Sequence, residues 1–284
     1  VGKRERFKLA IGNYQRHLLS GQNPKTATLV KRQDGTYYVN IQLESEPPTP
    51  EETDKVLGID LGRVDIAATS EGQSFSGADV TATRDKYSRV RASIQRKASK
   101  GTRSTRRRAR RLLQRLSGKE RRYQTHVNHV ISYQLVQQAK RNNQVIALED
   151  LTGIRERTNN LPRTKTERRR SNSWAFYQLR QFTTYKAVKF GVKLVFVDPR
   201  YTSQTCHNCL HIHPVQGKSY RSGKKFECGH CGWTGDADVN GARNIANNGA
   251  VVNQPGGSGL ACSLEEHILG LLKARAVCDS ISVG

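Results

Sequence analysis

Two Cys-x-x-Cys pairs, Cys206/Cys209 and Cys228/Cys231, constrain this chain more than any other feature. A two-residue spacing lets one tight turn aim two sulfurs at the same point, and a second pair across a short loop completes a tetrahedral thiolate set. The pattern reads as a zinc ribbon with structural zinc, against the alternatives of two disulfides or four unrelated thiols. Directly after the ribbon comes Asp236-Ala-Asp238-Val-Asn240-Gly-Ala-Arg-Asn244. An acidic residue is thus delivered from a rigid, metal-pinned turn into a predicted helix.

Charge supplies the second constraint. Over 284 residues, 48 Lys and Arg face 24 Asp and Glu, a net charge of +24, and the excess is clustered. Arg103, Arg106, Arg107, Arg108, Arg110, Arg111 and Arg115 crowd one stretch, and Arg168-Arg169-Arg170 close a polar loop over 155–171. Such arginines repel one another in the free protein, which points to a phosphate backbone as their partner. No apolar run approaches the roughly twenty residues that span a bilayer, and no signal peptide is legible at the start, so no membrane partner is expected. Cys262 and Cys278 lack partner spacing and read as free thiols, which favours a reducing, cytoplasmic compartment over secretion. The chain begins at Val1 and contains no methionine, so it reads as a fragment lacking an N-terminal part.

Taken in order, residues 1–54 read as a small β unit. Phe7, Leu9 and Ile11 alternate with polar residues, and Asp34-Gly35 between Thr26–Val30 and Tyr37–Leu43 predicts a hairpin. A proline-rich linker closes the unit. Val56-Leu-Gly-Ile-Asp60 is then a buried strand ending in a carboxylate, with Val56, Gly58 and Asp60 on one face. Two short strands follow, over 64–69 and 74–76. From Val80 to about Asn142 the chain predicts two helices with a basic tip, broken at Ser117-Gly118, in which His126 and His129 are packing or surface residues rather than ligands. Val145 to Glu149 repeats the strand-ending acid. Glu149 is the better candidate there, and Asp150 caps the next turn. An amphipathic helix over 171–190, including Trp174, and a strand over 192–197 precede the ribbon. His211-Ile212-His213 mimics a nicking-enzyme pattern but sits in the loop between the pairs and is set aside. A Gly-rich linker leads to a predicted terminal helix whose capping box is Ser263 and Glu266.

The layout is α/β. Asp60, Glu149 and Asp238 each sit at the end of a regular element. If the first two strands pair, their carboxylates share one sheet edge and a helix adds the third. Three such acids repel unless hard divalent cations, magnesium or manganese, relieve them. Two ions about 4 Å apart would suit phosphodiester cleavage.

Gly58-Ile-Asp60-Leu-Gly62, Leu148-Glu149-Asp150-Leu151, Asp198-Pro-Arg-Tyr-Thr-Ser-Gln204 and Asp238-Val-Asn240-Gly-Ala-Arg-Asn244, in this order about the cysteines, resemble TnpB. TnpB proteins are transposon-encoded RNA-guided nucleases akin to the type V CRISPR effectors. The resemblance implies a RuvC-type nuclease domain of RNase H fold over 55–200 and 234–250, a zinc ribbon inserted at 201–233, a remnant of the β wedge domain at 1–54, and a linker and tail over 251–284. It implies Asp60, Glu149 and Asp238 as a magnesium-binding triad, Cys206, Cys209, Cys228 and Cys231 as zinc ligands, and a DNA target and a transposon-end guide RNA as partners, met at the nucleoid. Asp236 stays the rival of Asp238. Leu210 stands where a glycine often follows the first pair, and Gly241 where alanine is usual.

Overall fold

The structure, a computed structural model, describes residues 8–32, 34–152, 164, 176–215 and 217–253. Arg168, Arg169, Arg170, Trp174, Cys262, Cys278 and the expected terminal helix lie outside the described residues. The chain divides into two compact units, Val1–Pro47 and Pro48–Gly284.

In the first unit, α1 (Asn13–Leu19) precedes an antiparallel hairpin of β1 (Thr26–Lys31) and β2 (Tyr37–Gln42). The Asp-Gly turn forms as expected. Asp34 Oδ1 accepts the Thr36 N–H at 2.9 Å, and Gly35 takes φ +84°, open to glycine without a Cβ clash. Leu9 and Ile11 are not in a strand, and Phe7 lies outside the described residues. Alternation yields a strand only where a neighbour completes the ladder, and among the described residues β1 and β2 pair with each other alone.

The second unit is built on a sheet of β3 (Val56–Asp60), β4 (Asp65–Thr69), β5 (Ser74–Ser76), β6 (Val145–Glu149) and β7 (Leu194–Val197), in the order β5-β4-β3-β6-β7. Tight turns make β3, β4 and β5 antiparallel neighbours, whereas long helical crossovers make β3, β6 and β7 parallel. The parallel register pairs Ile59 with Leu148, which brings Asp60 and Glu149 level at one end of the sheet.

Two helical layers follow from the period of two along the strands. Leu57, Ile59, Ile146 and Leu148, all at most 1% exposed, face Leu135, Val136 and Ala139 of α4 (Lys119–Arg141) and Leu179 of α5 (Phe176–Phe190). Each such side chain contributes about 1.5–3 kcal/mol of burial. Val145, Ala147, Val195 and Val197 face Ile245 of α6 (Ala237–Asn253). That face also carries Gly58, and α6 lies very close to it. A Cβ on Gly58 would fall 2.0 Å from the Ala242 carbonyl oxygen, and one on Gly249 would fall 2.5 Å from the Ala147 Cβ.

The basic segment holds three helices rather than the two expected. A further break at Lys100–Thr102 separates α2 (Ala78–Ser99) from α3 (Arg103–Leu116). Thr102 caps α3 by accepting the Thr105 N–H, a local signal that the density of arginines obscured. His129 packs as expected, stacked on Phe182 at 3.9 Å. The ribbon forms a small sheet of β8 (Arg221–Ser222), β9 (Lys225–Glu227) and β10 (Thr234–Asp236) around buried Phe226. Among the described residues, no helix is long and apolar enough to cross a membrane.

Candidate active site

The site grows from the end of the sheet. Asp60 closes β3 and Glu149 closes β6, each facing the α6 side by the same alternation that leaves Gly58 and Ala147 beneath the helix. Gly241 of α6 sits over Asp60, where a Cβ would come within 3.1 Å of Oδ2. The glycine thus leaves the carboxylate its space. Asp238 enters from the first turn of α6 and is 8% exposed.

Electrostatics link the three. Burial, then the nearby charges of Glu149 and Asp238, push the Asp60 carboxyl up to about 7, with Arg221 relieving part of the rise. Burial also raises Glu149, against a hydrogen bond from Thr202 Oγ1 at 2.5 Å. Asp60 itself has neither a hydrogen bond nor an ion pair among the described residues. Asp60 is thus a carboxylate partly offset by Arg221 and near two others; among the described residues, only the four cysteines form a group close enough to hold one metal ion. The trio is not drawn together as tightly as the cysteines, whose donor atoms all lie within 4.8 Å of one another. Thr202 draws on Glu149, and Arg221 Nη2 holds Asp238 Oδ1 at 2.7 Å.

The two rival acids are used by the backbone. Asp236 Oδ1 accepts the N–H groups of Asp238 at 2.8 Å and Val239 at 3.1 Å, capping α6. Asp150 Oδ1 accepts the Thr152 N–H and hydroxyl and is paired with Arg180 at 2.8 Å, as a turn cap does.

Sequence reasoning missed the groups that hold these acids. Thr202 lies inside the noted Asp198–Gln204 stretch but carried no signal of its own. Asn244 Nδ2 donates to the Thr202 and Thr205 carbonyls at 2.9 and 2.7 Å, and Asn240 Nδ2 donates to Thr205 O at 2.7 Å. The spacing of four on α6 puts both asparagines on one face, which clamps the loop that positions Thr202. Arg221 and Lys224 come from the ribbon hairpin, and Lys224 Nζ reaches the buried Asp65 of β4 at 2.5 Å. His207 joins the first cysteine pair to α6. It donates its N–H to Asn240 Oδ1 at 3.0 Å and accepts Arg243 Nη1 at 2.9 Å.

The ribbon brings all four expected thiols together. Cys206 and Cys231 sulfurs are 3.7 Å apart, as are those of Cys209 and Cys228. Zinc–sulfur bonds of about 2.3 Å would set tetrahedral sulfurs about 3.8 Å apart, so the set fits such an ion. Hydrogen bonds from the Trp233 N–H and then Asn208 pull the Cys231 thiol down to about 6, toward the thiolate that a metal needs. His211 stacks on His230 at 4.6 Å and His213 lies against Tyr220 at 4.8 Å, so the His-x-His pattern is ribbon packing.

On α3, Arg103, Arg106, Arg107, Arg110 and Arg111 share one exposed face by their spacing, opposite half-buried Leu113 and Leu116 and buried Ala109; Arg108 is exposed to one side. Apart from an Arg106 bond to the Gly101 carbonyl, these six have no partner among the described residues.

Known proteins match this arrangement. A family profile described as a probable transposase matches residues 39–153, and one described as the Cas12f1-like TNB domain matches 176–245. The CRISPR-associated endodeoxyribonuclease Cas12f1 of Sulfoacidibacillus thermotolerans is 32% identical over 81% of this chain and 54% of its own length. TnpB-like protein MJ0751 of Methanocaldococcus jannaschii is 35% identical over 45% of this chain and 44% of its own. A solved Cas12f1–sgRNA–target DNA complex superposes with a TM-score of 0.52 at 18% identity, over 76% of this chain and 54% of that one, which shows a shared fold. The chain spans about half the length of the curated relatives it matches. With one profile on the first strands and basic helices and the other running from α5 through the ribbon into α6, the chain resembles the TnpB-like and Cas12f1 proteins over most of its length.

Proposed function

We propose that this chain carries the nuclease centre of a divalent-metal-dependent DNA endonuclease, guided by RNA in its complete form. The observation that carries the reading is Asp60: a half-buried carboxylate with no hydrogen bond or ion pair among the described residues, raised to about 7 by burial and by the nearby charges of Glu149 and Asp238. The 5-strand order, three antiparallel neighbours followed by two parallel ones, supports an RNase H-like, RuvC-type sheet. Names of relatives support the substrate, since the matched Cas12f1 is an endodeoxyribonuclease and its solved homologue holds a single-guide RNA and target DNA.

In this reading Asp60, Glu149 and Asp238 hold magnesium or manganese, and Cys206, Cys209, Cys228 and Cys231 hold zinc. Bound ions there would activate water and stabilise the leaving oxygen of a phosphodiester. Thr202 fixes the Glu149 rotamer, and the Asn240/Asn244 clamp fixes Thr202. Arg221 offsets the charge of Asp238 and would offer a cation to a scissile phosphate brought to these acids. The exposed arginines of α3 supply sequence-independent attraction to a nucleic-acid backbone, and Arg168, Arg169 and Arg170 are proposed to add to it.

The test compares wild-type chain with Asp60→Asn and Glu149→Gln on DNA in magnesium or manganese. The expected result is cutting by wild type alone, with nucleic-acid binding kept in all three. Cutting by both variants would reject the triad, and binding without product from the wild type would leave only a nucleic-acid-binding role.

A further inference from the structure

One imidazole stands where the ribbon meets the acid-bearing helix. His207 follows Cys206, which is fully buried, and is itself half-buried. Trp233, two residues past Cys231, packs edge-on against its ring with centroids 4.4 Å apart. The first cysteine pair therefore supplies the imidazole, and the second supplies the wall beside it. Closing the four thiols on one ion fixes both.

The two ring nitrogens serve different neighbours. His207 Nδ1 and the His207 backbone N–H each lie 3.0 Å from Asn240 Oδ1 on α6. On the other side, Nε2 meets Arg243 Nη1 at 2.9 Å. A guanidinium can only donate, so Nε2 is the acceptor and Nδ1 carries the proton. Asn240 is fully buried, and two donors on one oxygen decide which way its amide faces. In that orientation Nδ2 meets the Thr205 carbonyl at 2.7 Å, whereas a flipped amide would set oxygen against oxygen. The loop so held carries Thr202, whose hydroxyl bonds Glu149, and Asn240 lies two residues after Asp238 on α6. Arg243 in turn donates from Nε to the Ser70 carbonyl at 3.3 Å. Ser70 is bonded twice to Gly58 of β3, through its N–H at 2.9 Å and its hydroxyl at 3.2 Å, two residues before Asp60. Each of the three acids is thus linked to this imidazole by a short chain of contacts.

We propose that His207 is a positioning residue: set by the closed ribbon, it fixes the Asn240 amide and through it the places of Glu149 and Asp238. Arg243 extends the same hold toward the strand that carries Asp60. The proposal deepens the nuclease reading and rests on it for what the acids bind. It makes the ribbon's metal act on the acids at a distance, with His207 as the link. A role in packing alone would ask for a ring of this size, but not for a donor at Nδ1.

The experiment uses the full chain loaded with zinc, checked by native mass spectrometry, and reads two quantities. One is hydrogen exchange at the amides of 202–205 and 237–241. The other is manganese affinity, followed by electron paramagnetic resonance without nucleic acid, so that nothing is cut. His207→Ala is expected to keep its zinc, to speed exchange in both segments about tenfold and to weaken manganese about tenfold. His207→Asn places an amide nitrogen where Nδ1 stands, and is expected to bring both readings back to within about threefold of wild type. His207→Gln reaches only the Nε2 position and is expected to stay near the alanine variant. Thermal melting checks each fold, and should the alanine variant fail, the asparagine and glutamine pair decides. Unchanged exchange in a folded, zinc-loaded His207→Ala protein, or equal behaviour of the asparagine and glutamine variants, would overturn the proposal. Faster exchange in His207→Ala beside a wild type that binds no manganese would overturn the nuclease reading and leave the positioning role standing.

Discussion

Replacing Asp60 with asparagine should stabilise the metal-free protein, and the gain should depend on pH. The folded carboxyl sits at about 7 against an ordinary value of 3.8. Between these values the folded state keeps a proton that the unfolded state has released, so wild-type stability falls as pH rises from about 4 to about 7 and then levels. At about 1.36 kcal/mol per unit, the full loss is on the order of 4 kcal/mol, and water reaching the sheet end reduces it toward about 2. Asparagine keeps the shape without the charge. The assay is urea unfolding of both proteins in chelator across that range, with free energies extrapolated linearly. The two curves should converge near pH 4 and separate by about 2–4 kcal/mol above pH 7. Adding magnesium or manganese at pH 8 should stabilise the wild type and leave the variant nearly unchanged. A difference constant with pH would refute the burial and repulsion argument, and equal stabilisation by the ion would refute Asp60 as its ligand.

Other perturbations follow from the same contacts. Arg221→Ala should cost about 1–2 kcal/mol in urea unfolding by leaving Asp238 unpaired, and adding Asp238→Asn should recover most of it; an additive double variant would deny the coupling. Leu210 holds φ +58° and is 66% exposed, so Leu210→Gly should raise zinc-loaded stability by about 0.5–1 kcal/mol, while a loss would show that its side chain packs. Gly58→Val would drive a side chain into the Ala242 carbonyl and should separate α6 from the sheet, seen as loss of the cooperative melt; a melt like wild type would contradict the close approach. Native mass spectrometry should find one tightly held zinc that Cys228→Ser reduces, and unchanged zinc would displace that residue from the set.

The residues themselves settled a good deal. Strand-ending acids, the Asp-Gly hairpin and the paired cysteines are local signals, because turn geometry and side-chain alternation act over a few positions. The positions of β3, β6 and the ribbon thiols were therefore legible, and so was the clustering of arginine that α3 presents on one face. Local signals failed where a partner decides. Leu9 and Ile11 alternate without a ladder to join, and the break between α2 and α3 was hidden in a run rich in helix-forming residues. Asp236 and Asp238 could not be told apart by spacing, since both follow the ribbon; the helix start resolved their contacts by turning Asp236 onto backbone N–H groups. Thr202, Arg221 and His207 acquire their contacts only when loop, ribbon and α6 meet. The level placement of Asp60 and Glu149 likewise comes from strand register and helix packing, which depend on contacts between residues far apart in the chain and are fixed only when the whole sheet closes.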